Sequence, residues 1–200
     1  YYFTDQNGYR LQMVGASDVP EEERTGNEAK PLVNNRFGGL NGEEISKMVC
    51  LSHKKTLEHW LKKRESDPSA VISTIATIPQ IRMTRKIVGE YELAHTEMHT
   101  YFEDSIGMVS NWKKRGPIYE VPFRTLYNAE MKNLIVAGRC TCVNETLWDV
   151  MRVIPCCAVT GQAAGTAAAM TDDFSAIDIS KLQEKLRNNG VVIHEKDILN

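Results

Sequence analysis

The chain has 200 residues, 42% apolar and 25% charged, proportions that suit an ordinary folded domain rather than a disordered or fibrous one. Lysine and arginine number 24 against 26 aspartate and glutamate, a net charge of −2 without a long basic run, which argues against a nucleic-acid surface or a polybasic membrane patch. The uncharged stretch 153–171 contains Pro155, Thr160, Gly161, Gln162, Gly165 and Thr166. A membrane span needs about 20 predominantly apolar residues, so this stretch reads as a buried helix.

A start at Tyr1, without a charged segment leading into an apolar one, is what a fragment or a processed chain would show. The five cysteines, Cys50, Cys140, Cys142, Cys156 and Cys157, lack the spacing of a secreted disulfide framework. A reducing, cytoplasmic compartment is the inference.

In chain order, residues 8–14 alternate weakly and predict a strand, and residues 20–35 read as a long exposed loop. Gly38, Gly39 and Gly42 mark a turn, with Asn41 placed to cap a helix. From 43 to 63, Ile45, Met48, Val49, Leu57, Trp60 and Leu61 recur at helical spacing. Glu43 and Glu44 open this helix, Lys62, Lys63 and Arg64 close it, and Asp67-Pro68 ends it. Residues 70–88 are dense in β-branched side chains and split by Pro79, which predicts two strands or one broken strand. Further short strands are expected at 118–123 and 133–137. A helix follows over 153–170, then a last helix capped by Asp178 and stopped by Asn189-Gly190, and a terminal strand at 191–193. Mixed strands and helices define the fold class as α/β or α+β.

The segment richest in chemical meaning is NLIVAGR (133–139) followed by RVIPCCAVTGQAAGTAAA (152–169). It describes a short buried strand ending in Ala137-Gly138, a loop, and a helix rich in glycine and alanine. In open α/β sheets ligands bind beyond the carboxyl ends of strands, where the chain turns toward a helix. Gly138 allows close backbone approach, and a helix start offers unpaired N–H groups to an electron-rich carbonyl or an anion. Gly161, Gly165 and the alanines between them would form a thin face able to press on a sheet. Strand, glycine and alanine-rich helix also occur in many unrelated folds as plain packing.

Other candidates carry competing readings. Arg82 and Arg85, three apart in a β-rich run, would point to opposite faces. His95 and His99, with Glu97 between them, would share a helix face, but the order H-x-E-x-H lacks the adjacent base of a metalloprotease, and a solvated face is the better reading. Cys140, Cys142, Cys156 and Cys157 match no zinc spacing; buried packing or a redox role are the alternatives. Asp104, Glu145 and Asp149 are proton-transfer candidates that nothing ranks.

Three runs occur in one order: IPQIRMTRKIVGEY (78–91), VPFRTL (121–126), and the 137–165 segment. Together they resemble the C-terminal half of a bacterial family of FAD-dependent oxidoreductases, distantly similar to fumarate reductase and succinate dehydrogenase flavoproteins. The similarity runs from Leu40 to about residue 192.

This resemblance implies part of a Rossmann-like FAD-binding domain over residues 129–200, and a substrate-side (cap) portion, a β-sheet with helices, over residues 1–128. It implies FAD as cofactor, with Ala137, Gly138 and Arg139 on the ribityl and pyrophosphate side and Arg152, Val153 and Ile154 beside the ring. Arg82, Arg85 and Arg124 would face an anionic small-molecule substrate of hydride or electron transfer. Reduced flavin carries negative charge near its N1–C2 edge, which a helix start or an arginine stabilises.

No G-x-G-x-x-G occurs anywhere in the chain. Half the expected cofactor contacts are therefore missing, and the isolated chain is not expected to hold FAD tightly. Three arrangements remain: a fragment of a longer enzyme, a subunit completing a flavin site with a separate GxGxxG-bearing chain, and a non-catalytic remnant. An apolar face built to meet the missing half would favour self-association.

Overall fold

The computed structural model describes the backbone of residues 2–4 and 10–12, and residues 38–75, 77–79 and 81–198. Contacts divide the chain into residues 1–81 and 82–200.

In the first unit, β1 (Tyr2–Thr4) and β2 (Arg10–Gln12) pair antiparallel with Phe3 opposite Leu11. β2 covers the described part of the strand expected at 8–14; the remainder of that strand, and the loop expected at 20–35, lie outside the described residues. Helix α1 (Gly42–Ser66) starts where its cap predicts. The Asn41 side chain accepts the N–H groups of Glu43 (2.9 Å) and Glu44 (3.2 Å), satisfying two donors that the first turn leaves unpaired. The Glu44 carboxylate accepts the Gly38 N–H at 2.9 Å, tying the preceding turn to the helix. Beyond Asp67 the chain folds back, and Trp60 Nε1–H donates to the Ala70 carbonyl at 3.2 Å.

No strand forms among the described residues of 70–88, contrary to their β-branched composition. Val71 and Ile78 are 81% and 76% exposed. β-propensity measures fit to a pleated, half-buried surface, and here no partner strand supplies one. Arg82 and Arg85 are thus in irregular chain, and the alternation that put them on opposite faces does not apply.

The second unit is built on a hairpin. β3 (Ser105–Ser110) pairs antiparallel with β4 (Ile118–Pro122), with Val109 opposite Tyr119 and a register shift between Ser105 and Met108. Within that shift Gly107 has φ +138°, and an added Cβ would lie 2.9 Å from Val159 Cγ1. The glycine is what lets the next layer approach.

That layer is helical: α2 (Glu145–Met151), α3 (Ile154–Ala168) and α4 (Ile179–Asn188). Asn144 caps α2 through the Leu147 N–H (2.9 Å), and Asp178 caps α4 through the Lys181 N–H (3.2 Å). Ile106, Val121, Phe123, Leu147, Ala163, Ala167, Leu182, Leu186 and Ile193 are at most 1% exposed and join hairpin and helices into one core. The class is mixed α/β, as expected, in keeping with part of a Rossmann-like domain. Its trace of parallel pairing among the described residues is the isolated bridge between Leu93 and Val143.

Several local expectations need correction. Residues 133–137 form no strand; Ile135 makes an isolated antiparallel bridge to Tyr127, because the Leu126 end of the facing run turns away in a tight 3-10 turn. Residues 191–193 form no strand either, and Ile193 is fixed instead by core burial and by the Ser105 hydroxyl, which donates to its carbonyl at 2.7 Å. His95 and His99 are not on a helix, and His99 has a positive φ of 59°. The packed face of α3 holds Thr160, Ala163, Ala164 and Ala167, whereas a Cβ at Gly161 or Gly165 would meet nothing within 4 Å. Gly165→Ala should therefore raise stability by about 0.5–1 kcal/mol, the usual gain from removing a glycine inside a helix, measured as a higher urea midpoint. Among the described residues no helix is long and apolar enough to cross a membrane.

Candidate functional site

The three sequence runs that carry the resemblance interlock through their backbones. In the first run Ile87 N–H donates to Cys140 O (2.8 Å), Glu90 N–H to Tyr127 O (3.1 Å) and Tyr91 N–H to Arg124 O (3.2 Å). Val136 N–H donates to Leu126 O (2.8 Å) and Cys142 N–H to Thr125 O (2.9 Å), joining the second run to the third. Gly89 sits at the meeting point, where a Cβ would lie 2.9 Å from Cys142 Cβ and 3.1 Å from Arg124 O.

Within this frame Ala137 leads into a 3-10 turn, Gly138–Cys140. Gly138 is buried with φ +65°, a left-handed conformation that side chains with a Cβ rarely adopt. Its N–H donates to Thr160 Oγ1 inside α3 at 2.9 Å, and its carbonyl accepts the Thr141 hydroxyl at 2.8 Å. An added Cβ would meet Cys157 Sγ at 3.1 Å. Gly138→Ala should cost about 1–3 kcal/mol from backbone strain and crowding together, read as a lowered melting temperature. Cys157→Ala in the same chain should restore only the part due to crowding.

α3 begins directly after α2, with Arg152 closing one helix and Val153 capping the other. No side chain caps α3, Pro155 lies in its first turn, and Ile154 is 85% exposed. Among the described residues no side chain caps the start of α3, which leaves its first N–H groups without a side-chain acceptor. The last carbonyls of α2 are met by thiols: Cys156 Sγ–H donates to Val150 O at 3.3 Å and Cys157 Sγ–H to Arg152 O at 3.7 Å. Burial, with a smaller contribution from neighbouring Cys157, pushes the Cys156 thiol up to about 12, so it stays protonated and able to donate. All five cysteines are free.

The arginines are engaged. Arg152 Nε–H donates to Asp149 Oδ1 at 2.7 Å, and Lys113 pairs with the same carboxylate. Burial raises the Asp149 pKa, but hydrogen bonds from Lys113 and Arg152, together with their charges, outweigh it and hold the group below the usual carboxylate range. Arg124 forms a forked pair with Asp104 (Nε 3.0 Å, Nη2 3.2 Å) and its guanidinium lies 4.9 Å from the Tyr91 ring centroid. Tyr91 donates to Glu97, and burial followed by that carboxylate raises its hydroxyl to about 12. Arg85 bonds its neighbour's carbonyl, Thr84 O. The Arg139 carbonyl accepts Trp148 Nε1–H at 2.8 Å.

The structure ties the Gly138 turn to α3 through Thr160 and Cys157 and to α2 through Trp148, while Arg152, Val153 and Ile154 follow one another at the α2–α3 joint. Arg124 belongs to a separate ion pair. His95 bonds Asn144 and His99 bonds Glu195, so the two diverge.

Thr160 and a buried pair escape sequence reading, whereas Asp149, one of three unranked proton-transfer candidates, is singled out once Lys113 reaches it from the β3–β4 turn. Thr160 has the i+4 spacing of an ordinary helix hydroxyl. The pair is Glu120 and His194: both side chains are 4% exposed and they meet at 3.0 Å. Nothing in a sequence links positions so distant.

An uncapped helix start beside a glycine turn fits the electron-rich edge of a flavin ring. The G-x-G-x-x-G motif that would cradle the pyrophosphate does not occur in the sequence. Residues 5–186 match the family model described as FAD dependent oxidoreductase, and the chain belongs to that family. No curated protein and no solved structure matches it.

Proposed function

We propose that this chain is the C-terminal portion of a bacterial flavoenzyme, distantly similar to fumarate reductase and succinate dehydrogenase flavoproteins, and that it supplies one side of a flavin site. The observation that supports this reading is the Gly138 turn, pinned by Thr160 against an α3 start that no side chain caps. Bound FAD would supply the hydride- or electron-accepting ring.

The chain's own groups then hold and orient. Ala137, Gly138 and Arg139 would hold the ribityl side, and the start of α3, with Arg152, Val153 and Ile154, would stabilise negative charge at the pyrimidine edge. Ile154, apolar and exposed, would cover the ring and exclude water. Residues 129–200 would form this flavin side and residues 1–128 the substrate side. There Arg82, Arg85 and Arg124 would receive an anionic substrate, Arg124 with its fork already fixed by Asp104. The pyrophosphate cradle would come from a GxGxxG-bearing half or partner chain. Five free cysteines suit a reducing, cytoplasmic compartment.

The test is a flavin titration of the purified chain, followed by desalting and an absorption spectrum. Weak, reversible FAD uptake with no flavin band after desalting is the expected result. A band that survives desalting would show that this chain holds the cofactor unaided, and no uptake at any concentration would remove the flavin side from these residues.

A further inference from the structure

The α2–α3 joint consists of Arg152 and Val153 alone, so the direction in which α3 starts depends on what holds these two residues. The structure supplies a brace from a distant element. The β3–β4 turn sends Trp112 Nε1–H to the Asp149 carbonyl (3.1 Å) and the Lys113 ammonium to the Asp149 carboxylate. The same carboxylate takes Nε–H (2.7 Å) and Nη2–H of Arg152, one turn further along. Lys113 also lies 5.5 Å from the Trp112 ring centroid, which keeps the turn closed on itself. The Arg152 and Asp149 side chains are 18% and 22% exposed, so the pair is sheltered enough to matter, unlike a fully solvated surface pair.

We propose that Asp149 is a positioning residue: by gripping Arg152 from within α2 and Lys113 from the β3–β4 turn, it sets the direction of the α3 start and places Arg152 beside it. Its link to cofactor binding rests on the flavin reading above. A carboxylate suits the task because one charged group must serve two cations while the backbone carbonyl of the same residue holds an indole. The substitution Asp149→Asn would keep the shape and lose the charge that gathers both.

The experiment compares wild type with Asp149→Asn, Asp149→Glu and Lys113→Gln. Amide hydrogen exchange is followed, without flavin, at Arg152, whose N–H donates to Trp148 O, and at Cys157, whose N–H donates to Val153 O. Equilibrium FAD titration is run in parallel. In Asp149→Asn both amides should exchange about tenfold faster and FAD should bind about tenfold more weakly, the scale set by losing a charge-assisted pair. Exchange at Leu182 in α4 should be unchanged, Asp149→Glu should recover both readouts, and Lys113→Gln should fall between. Wild-type exchange at Arg152 and Cys157 in Asp149→Asn would overturn the proposal, as would an equal rise at Leu182 or a failure of Asp149→Glu to recover. Wild-type protein that takes up no FAD would remove the flavin reading, and the exchange data would still decide whether Asp149 braces the joint.

Discussion

Glu120→Ala is expected to destabilise the 82–200 unit by about 3–5 kcal/mol, the penalty for removing a buried carboxylate and leaving its hydrogen-bond partners unpaired. The Glu120 carboxylate accepts from three donors at once: His194 Nδ1 (3.0 Å) and Phe102 N–H (2.9 Å) on Oε2, and Glu195 N–H (3.0 Å) on Oε1. Removing the side chain would leave these donors buried and unpaired, and would unlatch the segment around residue 194 from β4. Glu120→Gln would not restore the arrangement. Its single oxygen replaces Oε2, but its NH₂ group then confronts the Glu195 N–H, donor against donor, and about 2 kcal/mol of loss should remain. Urea unfolding followed by circular dichroism measures both. A Glu120→Gln variant as stable as wild type would mean that the carboxylate charge is dispensable.

Gly89→Ala should be heavily damaging for a single added methyl. It would place a carbon 2.9 Å from Cys142 Cβ, 3.1 Å from Arg124 O and 3.3 Å from Tyr127 O. Two of these neighbours are backbone oxygens that also accept the N–H groups of Tyr91 and Glu90, so they cannot withdraw without breaking those bonds. Overpacking of this kind costs about 2–3 kcal/mol. For a unit of this size that lowers the melting temperature by roughly 5–10 °C. Because the clash sits where all three runs meet, the Gly138 turn should loosen with it. Gly42→Ala, where nothing lies within 4 Å, is the control and should leave the melting temperature close to wild type.

These sites show what the sequence discloses and where it falls silent. Helices α1, α3 and α4 are legible because their information is local: Asn41 and Asp178 are caps beside the turns they serve, and apolar spacing repeats within each helix. Strands depend on partners elsewhere in the chain. Val71, Ile72 and Ile75 look like a strand and remain exposed or half-buried irregular chain, while β3, with the unremarkable string SIGMVS, forms because β4 lies beside it. Helix α2 is too short for a period to show, and its Asn144 cap becomes evident only in the structure. At the candidate site, Gly138 and the α3 start can be picked out as strand end, glycine and helix. Their mutual attachment through Thr160, and the reach of Lys113 to Asp149, join distant positions and leave no periodic mark.

The latch at Glu120 also sets a timetable. Ser105 meets Ile193 across 88 residues, Gln183 reaches Glu103 and Ser105 across 80 and 78, and Glu120 meets His194 across 74. At about 5–20 residues per second, a β3–β4 hairpin emerging from the ribosome waits on the order of 4–15 seconds for the segment that completes its core. For that interval Ile106, Val121 and Phe123 have no α4 or Ile193 to cover them. The nascent chain is therefore most in need of a chaperone after its hairpin is made and before its last helix is.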